Sequence, residues 1–304
     1  MSPETGTDEP LVSWSDIQDV ELVIVRRMQE LAIGAHPSTV HGTGHDLAGL
    51  RDWQPGDRLS NIDWPQSTLT NFSPLITHEF DQESNAPIVV AADTSLSTRC
   101  GTGDEPIAKA IARTVATFAM AASFFQDQAG LVTFDQNTRR IAVRPRVGKN
   151  HAAHCVDTYQ NHLLLAGITE SPSDDNFAGL LRKRSLVPVV SDFLFDRPEP
   201  LLAELADLAT FHDVFLVMID SEFAFKFPRL SAGWVEAYDV ETNRTQIIAS
   251  SDLDQLGHRV SEWQDTVESS ARDRGLEVLR LAGDSLHFHD TLVTFLLERK
   301  RVRR

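Results

Sequence analysis

Cysteine, tyrosine and basic charge are all scarce in this chain of 304 residues. It has two cysteines, two tyrosines and 28 lysines and arginines against 44 acids. Two thiols, Cys100 and Cys155, cannot supply a disulfide framework, so a reducing compartment suits the chain. The net charge of −16 opposes a nucleic-acid coat or an anionic membrane surface as main partner. The longest promising apolar run, Thr114 to Phe125, falls short of the ~20 residues that a bilayer helix takes. The opening Met1-Ser2-Pro3-Glu4-Thr5 is polar and acidic, unlike a secretory leader. Neither G-x-x-x-x-G-K-[ST] nor G-x-G-x-x-G occurs, so ATPase chemistry would belong to a partner. His41 with His45, His151, His154 with Cys155, and His287 with His289 lack zinc-site spacing and read as surface or core residues. A cytoplasmic protein with no membrane insertion is expected.

What is present is enough apolar material, 41%, for a sizeable core and a smaller second one. Residues 1–13 read as a disordered tail. Apolar spacing predicts a helix over Trp14–Ile33, with Ser13 or Ser15 as its cap. Glycines and prolines then punctuate 36–85 into turns and short strands, with Pro55-Gly56 suited to a type II turn. From Ile88 onward, short apolar strands alternate with helices. Ile88–Ala92, Gly130–Phe134, Leu186–Ser191, Val214–Ile219 and Leu276–Leu281 are such strands, as a sheet buried on both faces requires. The expected fold is α/β, a doubly wound, mostly parallel sheet over 86–298 behind a small β-rich subdomain within 14–85. A β-hairpin insertion is expected in 222–250, and 299–304 reads as a solvated basic tail.

The sharpest chemical feature is Asp93-Thr94-Ser95-Leu96-Ser97, directly after the first apolar strand. Ligands of doubly wound sheets bind outside the carboxyl ends of the strands, which is where this segment falls. In an extended loop Ser95 and Ser97 point the same way, so one carboxylate and two hydroxyls converge. Those are hard oxygen donors suited to Mg²⁺ or Mn²⁺. Asp192 ends a second apolar strand, and Thr169 lies on the connection before it. Each residue alone also fits an ordinary helix cap.

The string resembles the metal-ion-dependent adhesion site of von Willebrand factor A domains, which implies Asp93, Ser95, Ser97, Thr169 and Asp192 as ligands of Mg²⁺, or of Mn²⁺ or Ca²⁺. The stretch Gly42–Trp64, with Leu50-Arg51-Asp52-Trp53-Gln54-Pro55-Gly56-Asp57 and Ile62-Asp63-Trp64, is similar to a bacterial family of unknown function. That family carries L-R-x-Y-x-P-G-D-x-x-R-x-I-D-W ahead of an A-type fold. Its genes often adjoin those of MoxR-type AAA+ ATPases. Here Leu47 and Trp53 replace the usual aromatic and tyrosine, and Ser60 or Asn61 the usual arginine. The resemblance implies a MoxR-type ATPase and its client protein as partners, in protein maturation or cofactor insertion. Physically, Arg51, Trp53, Pro55, Gly56, Asp57, Asp63 and Trp64 read as a lock for the β-rich segment. Arg51 would pair with Asp57 or Asp63, and the two tryptophans would fill a small core; a docking surface is the other reading.

Three functions follow. The first is a non-enzymatic interaction module whose bound cation is completed by a partner's carboxylate. The second is a metal-dependent phosphohydrolase with Asp93 as nucleophile, against which Ser95 stands where the acid would be needed. The third is a purely structural scaffold. The first is expected.

Overall fold

The computed structural model describes residues 10–34, 47–55, 59, 62–80, 87–102, 105–136, 138–165, 176–225, 234–239, 244–282 and 288–302. Contacts divide the chain into Met28–Asn85 and a larger unit of Met1–Arg27 with Ala86–Arg304. Helix α1 (Trp14–Gly34) begins at a reciprocal cap. Ser13 Oγ accepts from the Asp16 N–H at 3.3 Å, and Asp16 Oδ2 accepts from the Ser13 N–H at 2.7 Å. The expected tail over 1–13 is corrected where it is described. Val12 is buried, and its N–H donates to Gln160 at 2.9 Å.

The smaller unit holds β1 (Leu47–Asp52), α2 (Trp64–Leu69) and β2 (Ile76–Phe80), the strands pairing antiparallel. Asp63 caps α2 by accepting from the Gln66 N–H at 3.0 Å, and Pro65 sits in the first turn, where its missing donor is harmless. Ser67 is buried because its hydroxyl accepts from the Ile76 N–H at 2.9 Å and answers the Ile76 carbonyl.

The larger unit continues with β3 (Ile88–Asp93), a 3-10 turn (Leu96–Arg99), β4 (Gly101–Thr102), β5 (Glu105–Pro106) and α3 (Ile107–Phe124). Next come β6 (Ala129–Phe134), β7 (Arg139–Arg146), α4 (Lys149–Leu165), α5 (Phe177–Leu180), β8 (Leu186–Ser191), α6 (Glu199–Leu208) and β9 (Asp213–Asp220). A second 3-10 turn (Glu222–Phe225), the antiparallel pair β10 (Trp234–Asp239) and β11 (Arg244–Ala249), α7 (Ser250–Asp273), β12 (Glu277–Ala282) and α8 (Phe288–Val302) complete it.

Six strands form the central sheet in the order β12-β9-β8-β3-β6-β7. All neighbours are parallel except β7, which returns antiparallel to β6 at the edge. The fold is therefore α/β with a mostly parallel sheet. Every residue of β3, β6 and β8 is buried, as strands covered on both faces must be. Val89, Ala91, Val132, Phe134, Val189 and Leu216 face a core closed by α6 and α7. Alternation sends Ile88, Val90 and Ala92 to the other face, where α3 lies with α4 and α8.

Two expectations change. Helix α3 starts before the apolar run and reaches 18 residues, long and apolar enough to cross a membrane by length and composition. In this fold 78% of it is buried, so its apolarity serves the core. Between α4 and β8, α5 is a single turn capped by Asn176 and containing Gly179. The basic tail is also shorter than read. Arg299 belongs to α8 and is nine-tenths buried, its guanidinium on Asp213 at 2.6 Å and over Phe215 at 4.6 Å.

Candidate functional site

Strand order reverses between β3 and β8, and a crevice opens outside the carboxyl ends of strands at such a switch point. Both strand-end acids sit there. Asp93 is the last residue of β3, and Asp192 follows Ser191, the last of β8. One step beyond the Ala92↔Val190 pair the register sets Asp93 opposite Ser191, so Asp192 follows one residue further on, close enough for its charge to act on Asp93. Neither has solvent exposure.

The Asp93 carboxylate is held at both oxygens. Oδ1 accepts from the Ser95 N–H at 2.7 Å, and Oδ2 accepts from the Ser191 hydroxyl at 2.5 Å. Its backbone carbonyl accepts from the buried Tyr159 hydroxyl at 2.8 Å. Thr94 fastens the loop to β6, its N–H reaching the Phe134 carbonyl at 2.8 Å and its hydroxyl the same oxygen at 3.0 Å. The loop is not extended throughout, as the sequence reading had it. Ser95 is extended and Ser97 lies in the first 3-10 turn, with Thr98 Oγ1 donating to the Ser95 carbonyl at 2.7 Å. The two hydroxyls converge nonetheless, Ser95 Oγ lying 3.0 Å from Ser97 Oγ.

Electrostatics sets this cluster apart. Burial, followed by the neighbouring Asp192 charge, pushes Asp93 up to about 8, and hydrogen bonds from Ser191 and Ser95 oppose the rise. Burial and the charges of Asp93 and Asp192 likewise raise Tyr159 well above its ordinary value. Two buried carboxylates held together invite a cation. The described donors, two carboxylates and two hydroxyls, are all oxygen, so they fit a hard divalent ion such as Mg²⁺. Among the described residues, no three His, Cys, Asp or Glu side chains form a metal-binding group. A site of this composition draws half its donors from serine.

Asp93, Ser95, Ser97 and Asp192 are thus brought together at the carboxyl ends of β3 and β8, while Thr169 lies outside the described residues. Gly56 and Asp57 lie outside them too. In the smaller unit, Asp63 is the cap of α2, Arg51 Nη1 donates to the Asp52 carbonyl at 3.0 Å, and the Trp53 N–H donates to the Leu75 carbonyl at 2.7 Å. Pro55 is exposed. The paired-tryptophan core is corrected, because Trp64 is 56% exposed. It occupies the first position of a helix whose inward residue is Ser67. Sequence reasoning missed Ser191, Tyr159 and two residues of α7. A hydroxyl closing the apolar run Val189–Ser191 was a usable signal for the first. The others act from distant helices and leave no local pattern.

A family sequence profile matches residues 49–259, spanning both strand-end acids. The chain belongs to this family, described as "Protein of unknown function DUF58". No curated protein matches the chain. Solved structures resembling this family member include an aerotolerance-related membrane protein from Bacteroides fragilis, crystallised with multiple mutations to serines. It has 9% identity and a TM-score of 0.43, covering 71% of this chain and 99% of that one. Another is a D319A mutant of the PilB minor pilin from Streptococcus sanguinis, with 11% identity and a TM-score of 0.34. The match covers 75% of this chain and 64% of that one.

Proposed function

We propose that this member of the family is a metal-dependent protein-interaction module of von Willebrand factor A type, acting without catalysis. Asp93, Ser95, Ser97 and Asp192, with Thr169, hold Mg²⁺, and a carboxylate of the partner completes its coordination. The observation that carries the reading is the pair of buried strand-end carboxylates with two converging serine hydroxyls at the switch point of the sheet. A cation among these donors offsets the mutual charge of Asp93 and Asp192. Because few of its donors are anionic, the ion retains affinity for an outside carboxylate, so partner binding becomes conditional on metal. The partner proposed from the sequence resemblance is a MoxR-type AAA+ ATPase and through it a client protein, in the cytoplasm.

One observation favours a structural reading. Both Asp93 oxygens already accept protein hydrogen bonds, from Ser95 and Ser191. Binding assays with a purified MoxR-type ATPase separate the two. Capture that requires Mg²⁺, is reversed by chelation and is lost in Asp93→Ala supports the module. Capture indifferent to all three leaves the cluster a scaffold.

A further inference from the structure

We infer that Trp263 and Gln264, consecutive residues of α7, are positioning residues that fix the Asp192 wall of the cation site and so set its affinity. The inference rests on the cation reading above. Gln264 has no solvent exposure, and both ends of its amide are used. Nε2 donates to the carbonyls of Asp192 and Ile219, each at 2.8 Å, while Oε1 accepts from the Ser221 N–H at 3.2 Å. One side chain thus ties the exit of β8 to the exit of β9. Beside it, Trp263 Nε1 donates to the Phe193 carbonyl at 3.1 Å. The two peptide groups flanking Phe193 are both anchored to α7.

Phe193 needs that anchoring. Its φ of +54° lies in the left-handed region, which a bulky residue keeps only when its surroundings over-determine it. The loop's bend and the aim of the acid are coupled, because the Leu194 N–H donates to Asp192 Oδ1 at 3.1 Å. Buried backbone groups at strand exits must find partners. Here those partners are side chains of a helix, so the loop moves as α7 moves. The same helix reaches towards the other wall. Gly257 lies against the 3-10 turn Glu222–Phe225, where a Cβ would meet Glu222 Cγ at 3.4 Å. That turn packs on β4, which follows the Ser95–Ser97 loop.

The test compares Gln264→Ala, Trp263→Phe and Val267→Ala in the full chain. Val267 is a buried core residue of the same helix and serves as the packing control. Mg²⁺ affinity is measured by calorimetry below each thermal midpoint, and exchange of the Phe193 and Leu194 amides is followed without metal. The Kd for Mg²⁺ should rise by about tenfold or more in Gln264→Ala, the scale seen when groups orienting metal ligands are removed. It should rise less in Trp263→Phe and stay at the wild-type value in Val267→Ala, even where that variant melts lower. Exchange should accelerate in the first two only. Wild-type Mg²⁺ affinity in Gln264→Ala overturns the positioning role alone. Absence of Mg²⁺ binding by the wild-type chain overturns the cation reading and this inference with it.

Discussion

Acid should loosen the junction of α1, α3 and α8 through His289. Its Nδ1 lies 2.8 Å from Thr117 Oγ1, on a ring largely shielded from water. Burial pushes its pKa down, the Arg113 charge adds to this, and Asp16, Asp19 and Asp290 pull the other way. The outcome is about 4, against 6.5 for the free side chain. Above the unfolded value the ring is neutral in both states, and its full contribution is present. As pH falls from 6.5 towards 4, the unfolded chain takes up a proton that the folded chain resists, so stability falls with it. At about 1.36 kcal/mol per pH unit, the loss is about 2 kcal/mol by about pH 5 and about 3 kcal/mol by about pH 4. Carboxylates titrate nearby, so the informative quantity is a difference between two proteins. Urea unfolding of wild type and His289→Asn should show a gap near neutral pH, from the lost Thr117 bond, of about 1 kcal/mol. On going to about pH 5 that gap should shrink or reverse by about 2 kcal/mol. A gap that holds constant across the range refutes the neutral, shielded ring.

Phe118 is fully buried on α3, edge-on to Phe215 at 5.9 Å, and Phe118→Ala should cost about 3–5 kcal/mol in chemical denaturation. Arg299→Ala leaves Asp213 and Glu277 without their shared cation and should destabilise by about 3–5 kcal/mol, whereas removing Asp213 as well should recover part of that loss. Burial pushes the Cys155 thiol up to about 12, while Cys100 is half-buried. A thiol reagent at mildly alkaline pH should therefore modify one cysteine of the native protein quickly and the second only on unfolding.

The sheet was legible because its strands are buried on both faces. Continuous apolar runs such as Ile88–Ala92 and Leu186–Val190 have no other economical reading in a chain whose helices carry a 3.6-residue stripe. The stripe Ile107, Ile111, Val115, Phe118 and Ala122 is buried throughout. Where polar bonds override the apolar pattern, the reading failed. Helix α2 buries Ser67 and exposes Trp64 and Leu69, because the serine hydroxyl answers the backbone of β2. Arg299 looked like the start of a solvated tail, yet two acids from distant strands draw it inward. In the site, Asp93 and Asp192 announced themselves as acids ending apolar strands. Gln264 and Trp263 did not, since a side chain that braces a loop 70 residues away has no local spacing to display.

The proposed function stands on a divalent cation at the carboxyl ends of β3 and β8. Calorimetric titration of Mg²⁺ into the metal-free chain tests it most directly, with Asp93→Ala and Asp192→Ala alongside and circular dichroism to confirm their folds. One saturable site is expected in the wild-type chain and none in either folded variant. Wild-type protein that binds no Mg²⁺, Mn²⁺ or Ca²⁺, or variants that bind as tightly as wild type, would contradict it.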